Sequence, residues 1–217
     1  MDDFDQHGLV AMLADAADAP KLAVEAVRYH GMASLLGGTP ETVSAIASSS
    51  GLPRGDIERG IEALTDAGRI ELDGDLVVGV GGLTLTTTAH SLRLPNAEMH
   101  TWCALDAIGI PAALELTATV ETHCPGCGER ITVEVADGAA SAAGPVTLFC
   151  PTGPCRNVCA DFCSAANLFC SPVHLDDWRA DHPAAMGEEL DLPATAELGH
   201  TMWGRHQARR HEHDADG

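Results

Sequence analysis

Basic residues are scarce in this sequence of 217 residues. Twelve Lys and Arg stand against 32 Asp and Glu, Lys21 is the single lysine, and the formal net charge is −20. A chain this acidic repels phosphate groups, so nucleic acids and anionic membrane surfaces are poor partners. The composition therefore argues against a function that depends on either of them.

Aromatic residues and long apolar runs are also lacking. Aromatic side chains make up 4% of the residues, so we expect a core of Ala, Val, Leu and Ile. The N-terminus has neither a basic region nor an apolar stretch of signal-peptide length. Since no run approaches the roughly 20 apolar residues of a membrane span, we expect a soluble protein of the cytoplasm.

Cysteine is absent from the first hundred residues and frequent after them. The eight cysteines are Cys103, Cys124, Cys127, Cys150, Cys155, Cys159, Cys163 and Cys170. In a reducing cytosol this crowding favours metal or thiol chemistry over disulfides.

The first half predicts a helical module over residues 1–88. Apolar spacing predicts helices over 6–18 and 20–34, and a third that begins at Thr39-Pro40 with Thr39 as its N-cap. A fourth helix starts at Leu52-Pro53 and ends at Gly68, and a hairpin turns at Asp73-Gly74-Asp75. This order is typical of a winged helix. Because acidic residues outnumber basic ones between 39 and 80, we interpret it as a degenerate, structural winged helix that does not read DNA.

The second half predicts an α+β domain over residues 89–208, with a mixed or antiparallel sheet and flanking helices. The helices are expected over 99–107, 174–182 and 194–209, with an interruption at Gly109-Ile110-Pro111. Strands are expected near 83–88, 115–122, 130–136, 145–150 and 162–170. The tail, 209–217, is expected to be disordered.

The segment Trp102-Cys103-Ala104-Leu105-Asp106 is the strongest functional signal. If it is helical, Cys103 and Asp106 are three residues apart and share a face. Together with Cys163, sixty residues later, they could bind a thiophilic metal and move a proton. Taken alone, Cys103 is more easily explained as a small buried hydrophobic residue.

These residues resemble the alkylmercury lyases of bacterial mercury resistance. The similar segments are 79–85, 94–95, 102–106, 122–124, 161–163 and 176–178. The resemblance implies a degenerate winged helix before the catalytic domain, catalytic roles for Cys103, Asp106 and Cys163, and a structural role for Cys124. Ser164 stands where the family often has a second cysteine, which is regarded as dispensable.

The family's reaction cleaves a carbon–mercury bond by protonolysis. On this resemblance, one of Cys103 and Cys163 binds the substrate mercury, and Asp106 takes the proton of the other thiol. Asp106 then gives the proton to carbon, which releases a hydrocarbon and leaves Hg(II) on both sulfurs. No cofactor is required; small-molecule thiols or a mercuric reductase would accept the Hg(II).

The remaining cysteines suggest a second metal site. Cys124-Pro125-Gly126-Cys127 is a typical zinc knuckle, and Cys150 and Cys155 form a looser pair, so these four could bind a structural zinc ion. Thiols that relay mercury, or a disulfide, are the alternatives. Cys159 is the best candidate for a relay thiol, and Cys170 is expected to pack in the core.

Two other functions are consistent with the same cysteines. The first is a metal sensor or sequestration protein without lyase activity, which would be expected to have a basic recognition helix. The second is a lyase relative that has lost activity or acts on another organometal, although the presence of Cys103, Asp106 and Cys163 together argues against loss of activity.

Overall fold

The computed structural model describes residues 21–215, with side chains as far as Gly204. The predicted helix over 6–18 lies outside the described residues. The first elements are α1 (Lys21–Leu36), β1 (Glu41–Thr42), α2 (Val43–Ser50), α3 (Arg54–Asp66), β2 (Ile70–Asp73) and β3 (Leu76–Val80). Helix α3 buries Ile57, Ile61 and Leu64 at helical spacing, as its sequence pattern predicts.

The hairpin formed by β2 and β3 is part of a large antiparallel sheet. Its other strands are β4 (Leu83–Thr84), β5 (His90–Arg93), β6 (Glu98–Thr101), β7 (Ala118–His123), β8 (Arg130–Ala136) and β9 (Ala139–Ser141). The strand order is β1-β3-β4-β6-β5-β7-β8-β9, with β2 paired to β3. In β8, Ile131, Val133 and Val135 are buried and alternate with exposed residues, because the other face of the strand meets solvent.

A smaller sheet and the remaining helices cover this framework. The elements are α4 (Ala104–Ala113), β10 (Thr147–Pro151), a π-helix (Val158–Cys163), β11 (Asn167–Phe169), α5 (Pro172–Asp181), β12 (Gly187–Leu190) and α6 (Leu192–Ala215). The order of the second sheet is β11-β10-β12. Helices combined with antiparallel sheets make the fold α+β, which confirms the predicted class.

The centre of the core is α4, all of whose residues are buried. Gly109 of α4 and Gly199 of α6 let these two helices touch, since a Cβ on Gly199 would lie 2.4 Å from the Cα of Gly109. Helix α4 also continues through Pro111 to Ala113. The predicted interruption at 109–111 is therefore wrong; tertiary packing on α6 offsets the cost of an internal proline.

Other boundaries also differ from the prediction. The predicted start at Thr39-Pro40 is wrong: Glu41 and Thr42 pair with β3, and Thr42 becomes the N-cap by accepting from the Ala45 N–H at 3.1 Å. The predicted helix over 99–107 begins as strand β6, because residues 98–101 pair with β5. The predicted strand over 162–170 is the end of the π-helix followed by the short strand β11.

The predicted domain boundary at residue 88 falls inside the large sheet. Leu83 of β4 pairs with Thr101 of β6, so strands from both predicted domains belong to one sheet. At the other end, helical backbone continues to Ala215 through most of the segment that was expected to be disordered. No helix in the described part of the chain is long and apolar enough to cross a bilayer.

Candidate active site

Cys103 and Asp106 meet at the N-terminus of α4. Cys103 is the N-cap, with extended backbone (φ −150°, ψ 173°), so it precedes the helix instead of sharing a helical face with Asp106. Its backbone N–H and its thiol both donate to Asp106 Oδ2, each at 3.1 Å. This is a capping box in which a thiol stands where serine or threonine is usual.

Cys163 reaches the same carboxylate from the last turn of the π-helix. Its Sγ lies 4.0 Å from Asp106 Oδ2. The two sulfurs and a carboxylate oxygen lie within 4.8 Å of one another, and all three residues are buried. The structure therefore brings together the three residues that the sequence predicted as catalytic.

The π-helix is held in place by capping and by the first half of the chain. Asn157 is its N-cap and accepts from the Ala160 N–H at 2.9 Å, while the Asp161 carboxylate accepts from two backbone N–H groups that precede it. The Val158 N–H donates to the carbonyl of Ala67, just after α3, at 2.9 Å. The position of Cys163 thus depends on the end of α3.

A glycine turn between β3 and β4 lies directly on Asp106. Gly82 has φ +104°, and a Cβ there would lie 2.7 Å from Asp106 Cγ. The neighbouring Gly81 carbonyl accepts from the Trp203 indole N–H at 3.0 Å. Only glycine permits this backbone to approach the carboxylate so closely.

Trp102 is fixed beside the site by a carboxylate. Its indole N–H donates to Glu71 Oε1, and the Thr84 hydroxyl donates to Glu71 Oε2 at 2.7 Å. Leu105 and Ile108 of α4 are fully buried, and Trp102 is partly buried against the same core.

Burial controls the protonation of the carboxylate and of the thiol that caps it. Burial raises the pKa of Asp106 to about 7, although two hydrogen bonds from Cys103 act to lower it. Burial also raises the pKa of the Cys103 thiol to about 11. At neutral pH the Asp106 carboxyl group can therefore exchange a proton, while the Cys103 thiol stays protonated.

Cys163 is linked to a third thiol, Cys159, one turn earlier in the π-helix. Hydrogen bonds to the Cys103 and Cys159 sulfurs, and then burial, raise the pKa of Cys163. The bond from Cys163 lowers the pKa of Cys159, which is half-buried. Cys159 is therefore the more readily ionised and the more accessible of this pair.

The predicted zinc set of Cys124, Cys127, Cys150 and Cys155 is not brought together. Cys150 is fully buried on β10, where burial and then the neighbouring Cys103 raise its pKa to about 12. Cys155 lies near Asp161 and Cys159. The two predicted pairs separate because β10 places Cys150 next to Cys103.

Cys124 and Cys127 have other neighbours, Cys170 and His174. The ligand atoms of these four residues lie within 4.8 Å of one another. Although burial acts to raise it, the pKa of Cys124 is lowered because the backbone N–H groups of Cys170, Gly126 and Cys127 bond to its sulfur. Cys170, which was expected in the core, is half-buried and faces Cys127.

Sequence reasoning missed three features of these sites. The Gly81-Gly82 pair was a visible signal of close backbone approach, and Ser171-Pro172 between Cys170 and His174 was a visible helix start. The bond between Glu71 and Trp102 joins residues 31 apart and had no local signal.

Comparisons with known proteins point to one family. The family model described as "MerB: Alkylmercury lyase" matches residues 83–204. An alkylmercury lyase of Bacillus cereus is 29% identical over 181 residues, which cover 81% of this chain and 80% of that protein. One of Pseudomonas putida is 34% identical over 130 residues, covering 58% and 59%.

The fold agrees with a solved structure described as the mercury-bound form of MerB2. The TM-score is 0.82 at 21% identity, and the match covers 93% of this chain and 99% of that one. The family model spans more than half of the sequence, and its range includes Cys103, Asp106 and Cys163. The chain belongs to the alkylmercury lyase family.

Proposed function

We propose that Cys103, Cys163 and Asp106 catalyse the protonolysis of a carbon–mercury bond in an organomercurial substrate. The observation that supports this most directly is the buried group of two thiols and one carboxylate within 4.8 Å. Thiolates are the ligands that a soft metal prefers, and the carboxylate supplies a site for the proton.

The order of the two thiols follows from their surroundings. Cys163 is slightly exposed and Cys103 is not, and the Cys103 proton already points to Asp106. The first step is therefore attack by Cys163 on mercury, with its proton passing to the ligand that mercury loses. The second sulfur is Cys103, whose proton passes to Asp106 Oδ2.

Asp106 then gives this proton to the carbon bound to mercury. The carbon–mercury bond breaks, its electron pair takes up the proton, and the hydrocarbon leaves. Hg(II) stays on the sulfurs of Cys103 and Cys163, so both thiol protons are accounted for. A pKa of about 7 suits a carboxyl group that must accept a proton and then release it.

Cys159 is proposed as the thiol that hands mercury to Cys163. It is the more exposed of the two, its pKa is lowered, and it is hydrogen-bonded to Cys163. Small thiols remove the Hg(II) by the reverse exchange, or a mercuric reductase accepts it. Since the cycle needs reduced thiols, we place it in the cytoplasm.

The N-terminal module is proposed to be a degenerate winged helix that supports the active site. Its contribution is the Ala67 carbonyl that holds the π-helix and the Gly82 turn on Asp106. On α3, Arg54 pairs with Glu58 at 2.7 Å and Arg59 pairs with Asp56, so these cations are neutralised locally. These contacts favour a structural role for the N-terminal module over DNA recognition.

The deciding experiment measures hydrocarbon release from a phenylmercury or methylmercury salt with excess small thiol. We expect benzene or methane from the wild type. Cys103→Ala and Cys163→Ala should release almost none, and Asp106→Asn should be slower by about 10²–10⁴-fold, because a general acid contributes that much. Cys155→Ser, a half-buried cysteine outside the group, is the matched control and should keep its activity.

Other outcomes would select other functions. Tight mercury binding without hydrocarbon release from the wild type would make the protein a sequestration or sensor protein. Equal activity of wild type and Asp106→Asn would remove Asp106 from the proton path.

The relay role of Cys159 has its own test. Cys159→Ser should slow turnover at low substrate concentration more than at saturation, and an unchanged kcat/KM would contradict the relay.

A further inference from the structure

A second group of metal-ligand side chains lies outside the catalytic group. Cys127 Sγ is 3.5 Å from Cys170 Sγ, and His174 Nδ1 is 3.1 Å from Cys170 Sγ and 3.9 Å from Cys124 Sγ. We propose that Cys124, Cys127, Cys170 and His174 bind one structural zinc ion.

The spacing of the four ligand atoms fits zinc. With Zn–S near 2.3 Å and Zn–N near 2.0–2.1 Å, a tetrahedral site has ligand atoms about 3.5–3.8 Å apart. Three of the six separations, 3.1, 3.5 and 3.9 Å, bracket this range, and all six are within 4.8 Å. Three sulfurs and one imidazole nitrogen complete the four-coordinate shell and leave no open position, which is typical of a structural site.

The first pair of ligands comes from a knuckle after β7. The Cys124 N–H donates to the Glu129 carbonyl at 2.9 Å, and the Gly128 N–H donates to the Cys124 carbonyl at 2.8 Å. Gly128 has φ +77°, which closes the turn. The backbone N–H groups of Gly126 and Cys127 point at the Cys124 sulfur, as expected where a thiolate binds a metal.

The second pair comes from the start of α5. Cys170 follows β11, Ser171 is the N-cap, and the His174 N–H donates to Ser171 Oγ at 3.2 Å. This first turn directs the His174 ring back towards Cys170. The knuckle fits closely over it, because a Cβ on Gly126 would lie 2.9 Å from the His174 Cβ.

A disulfide explains the geometry less well. Cys127 and Cys170 would have to close from 3.5 Å to about 2.05 Å between sulfurs. A Cys127–Cys170 disulfide would also not explain why the Cys124 and His174 side chains lie beside it. Mercury prefers two nearly collinear sulfurs, whereas this group presents four ligands around one point.

The zinc would join the knuckle between β7 and β8 to the segment that follows the catalytic π-helix. Strand β11 lies between Cys163 and Cys170, and the Ala104 N–H at the start of α4 donates to the Ala166 carbonyl at 3.0 Å. The metal therefore fixes the far end of the segment whose near end carries Cys163.

The test is metal analysis of the full chain, purified with a reducing agent, without chelators and before any contact with mercury. We expect about one zinc ion per chain. Exchange for Co(II) should give the visible bands of a tetrahedral site and thiolate-to-cobalt charge-transfer absorption. Both readouts are independent of hydrocarbon release, so failure here would leave the proposed lyase function standing.

Variants identify the ligands. Cys127→Ser and Cys170→Ser should lose the zinc, and a chelator should lower the Tm of the wild type but not of Cys127→Ser. His174→Cys should keep the zinc, because four thiolates also form a structural site. Cys155→Ser is the control that should keep it as well.

Three results would overturn the proposal. The first is a reduced wild-type protein that takes up no zinc even when zinc is added. The second is zinc that remains bound in both Cys127→Ser and Cys170→Ser. The third is a Cys127–Cys170 disulfide in the protein as isolated from cells, shown by mass spectrometry with rapid thiol blocking.

Discussion

At the scale of single residues, Asp106 is a carboxyl group that the fold keeps away from water. It is 6% exposed, it accepts two hydrogen bonds from Cys103, and burial raises its pKa to about 7. A raised pKa is useful for proton transfer, but it makes the ionised form costly to hold in the folded state.

This cost predicts a pH dependence of stability. The unfolded chain releases the Asp106 proton near pH 3.8 and the folded chain near pH 7, so unfolding releases a proton between these values. The free energy of unfolding therefore falls as pH rises through this window. Relative to wild type, Asp106→Asn should gain about 2 kcal/mol between pH 5 and pH 7, measured by urea unfolding.

Asp161→Asn is the matched control for this measurement. The pKa of Asp161 is lowered, first by the Asn157 N–H, so this carboxylate is ionised in both states above pH 5. The difference in the free energy of unfolding between Asp161→Asn and wild type should not change between pH 5 and pH 7. A constant difference for Asp106→Asn as well would contradict a raised pKa at Asp106.

Gly82 is the second residue with a specific expected effect. Gly82→Ala places a Cβ 2.7 Å from Asp106 Cγ at φ +104°, so the carboxylate must move. We expect kcat/KM to fall by about 10²-fold, the typical effect of displacing a catalytic group by about 1 Å.

Gly74→Ala provides the comparison for Gly82→Ala. Gly74 also has positive φ, +61°, but its Cβ would meet no atom within 4 Å. The Gly74→Ala variant should lose about 1–2 kcal/mol of stability to backbone strain and keep its lyase activity. Equal activity losses in the two variants would show that strain, and not displacement of Asp106, is responsible.

At the scale of elements, the π-helix places Cys163, and its N-cap is Asn157. Asn157→Ala removes the acceptor for the Ala160 N–H and should cost about 1 kcal/mol of stability. Because Asn157 also packs on Gly68, the loss should shift Cys163 and reduce the rate of hydrocarbon release several-fold.

Thr42→Ala is the control at the element scale, since Thr42 caps α2 with the same kind of hydrogen bond. It should cost similar stability, measured by thermal unfolding, and leave hydrocarbon release unchanged. If both variants lose activity in proportion to stability, capping of the π-helix has no specific role.

The helices and strands also show which elements a local sequence pattern can predict. Strand β8 alternates buried and exposed residues and was predicted over its full length, and α3 was recognised from its apolar spacing and Gly68. The π-helix had no such pattern, because it is held by Asn157, Asp161 and the distant Ala67 carbonyl. Pairing with β5 likewise turned residues 98–101 into a strand.

At the scale of the whole molecule, the large sheet joins the predicted N-terminal module to the catalytic region. Leu83 pairs with Thr101, and the turn before β4 covers Asp106. We expect a single cooperative unfolding transition, in which tryptophan fluorescence and far-ultraviolet circular dichroism coincide during urea unfolding. Trp102, Trp178 and Trp203 report on the catalytic half, while the dichroism includes α1 to α3.

Separate transitions would instead support two independent domains divided near residue 88. In that case the fluorescence change and the dichroism change would have different midpoints. The shared sheet and the bond between Val158 and Ala67 make that outcome unexpected.

Residue types and short-range spacing were enough to predict the class of the fold, the family and the three catalytic candidates. These depend on residue types and on spacing within short segments, such as Trp102-Cys103 and Asp161-Phe162-Cys163. The acidic composition likewise argued against nucleic acid as a partner.

Folding in three dimensions was needed to show which side chains far apart in the sequence meet. It placed Cys150 beside Cys103, and it grouped Cys124 and Cys127 with Cys170 and His174. A spacing pattern records distance along the chain, whereas a metal site needs proximity in space, and strand pairing and helix packing set that proximity. The same packing removes water from Asp106 and so raises its pKa.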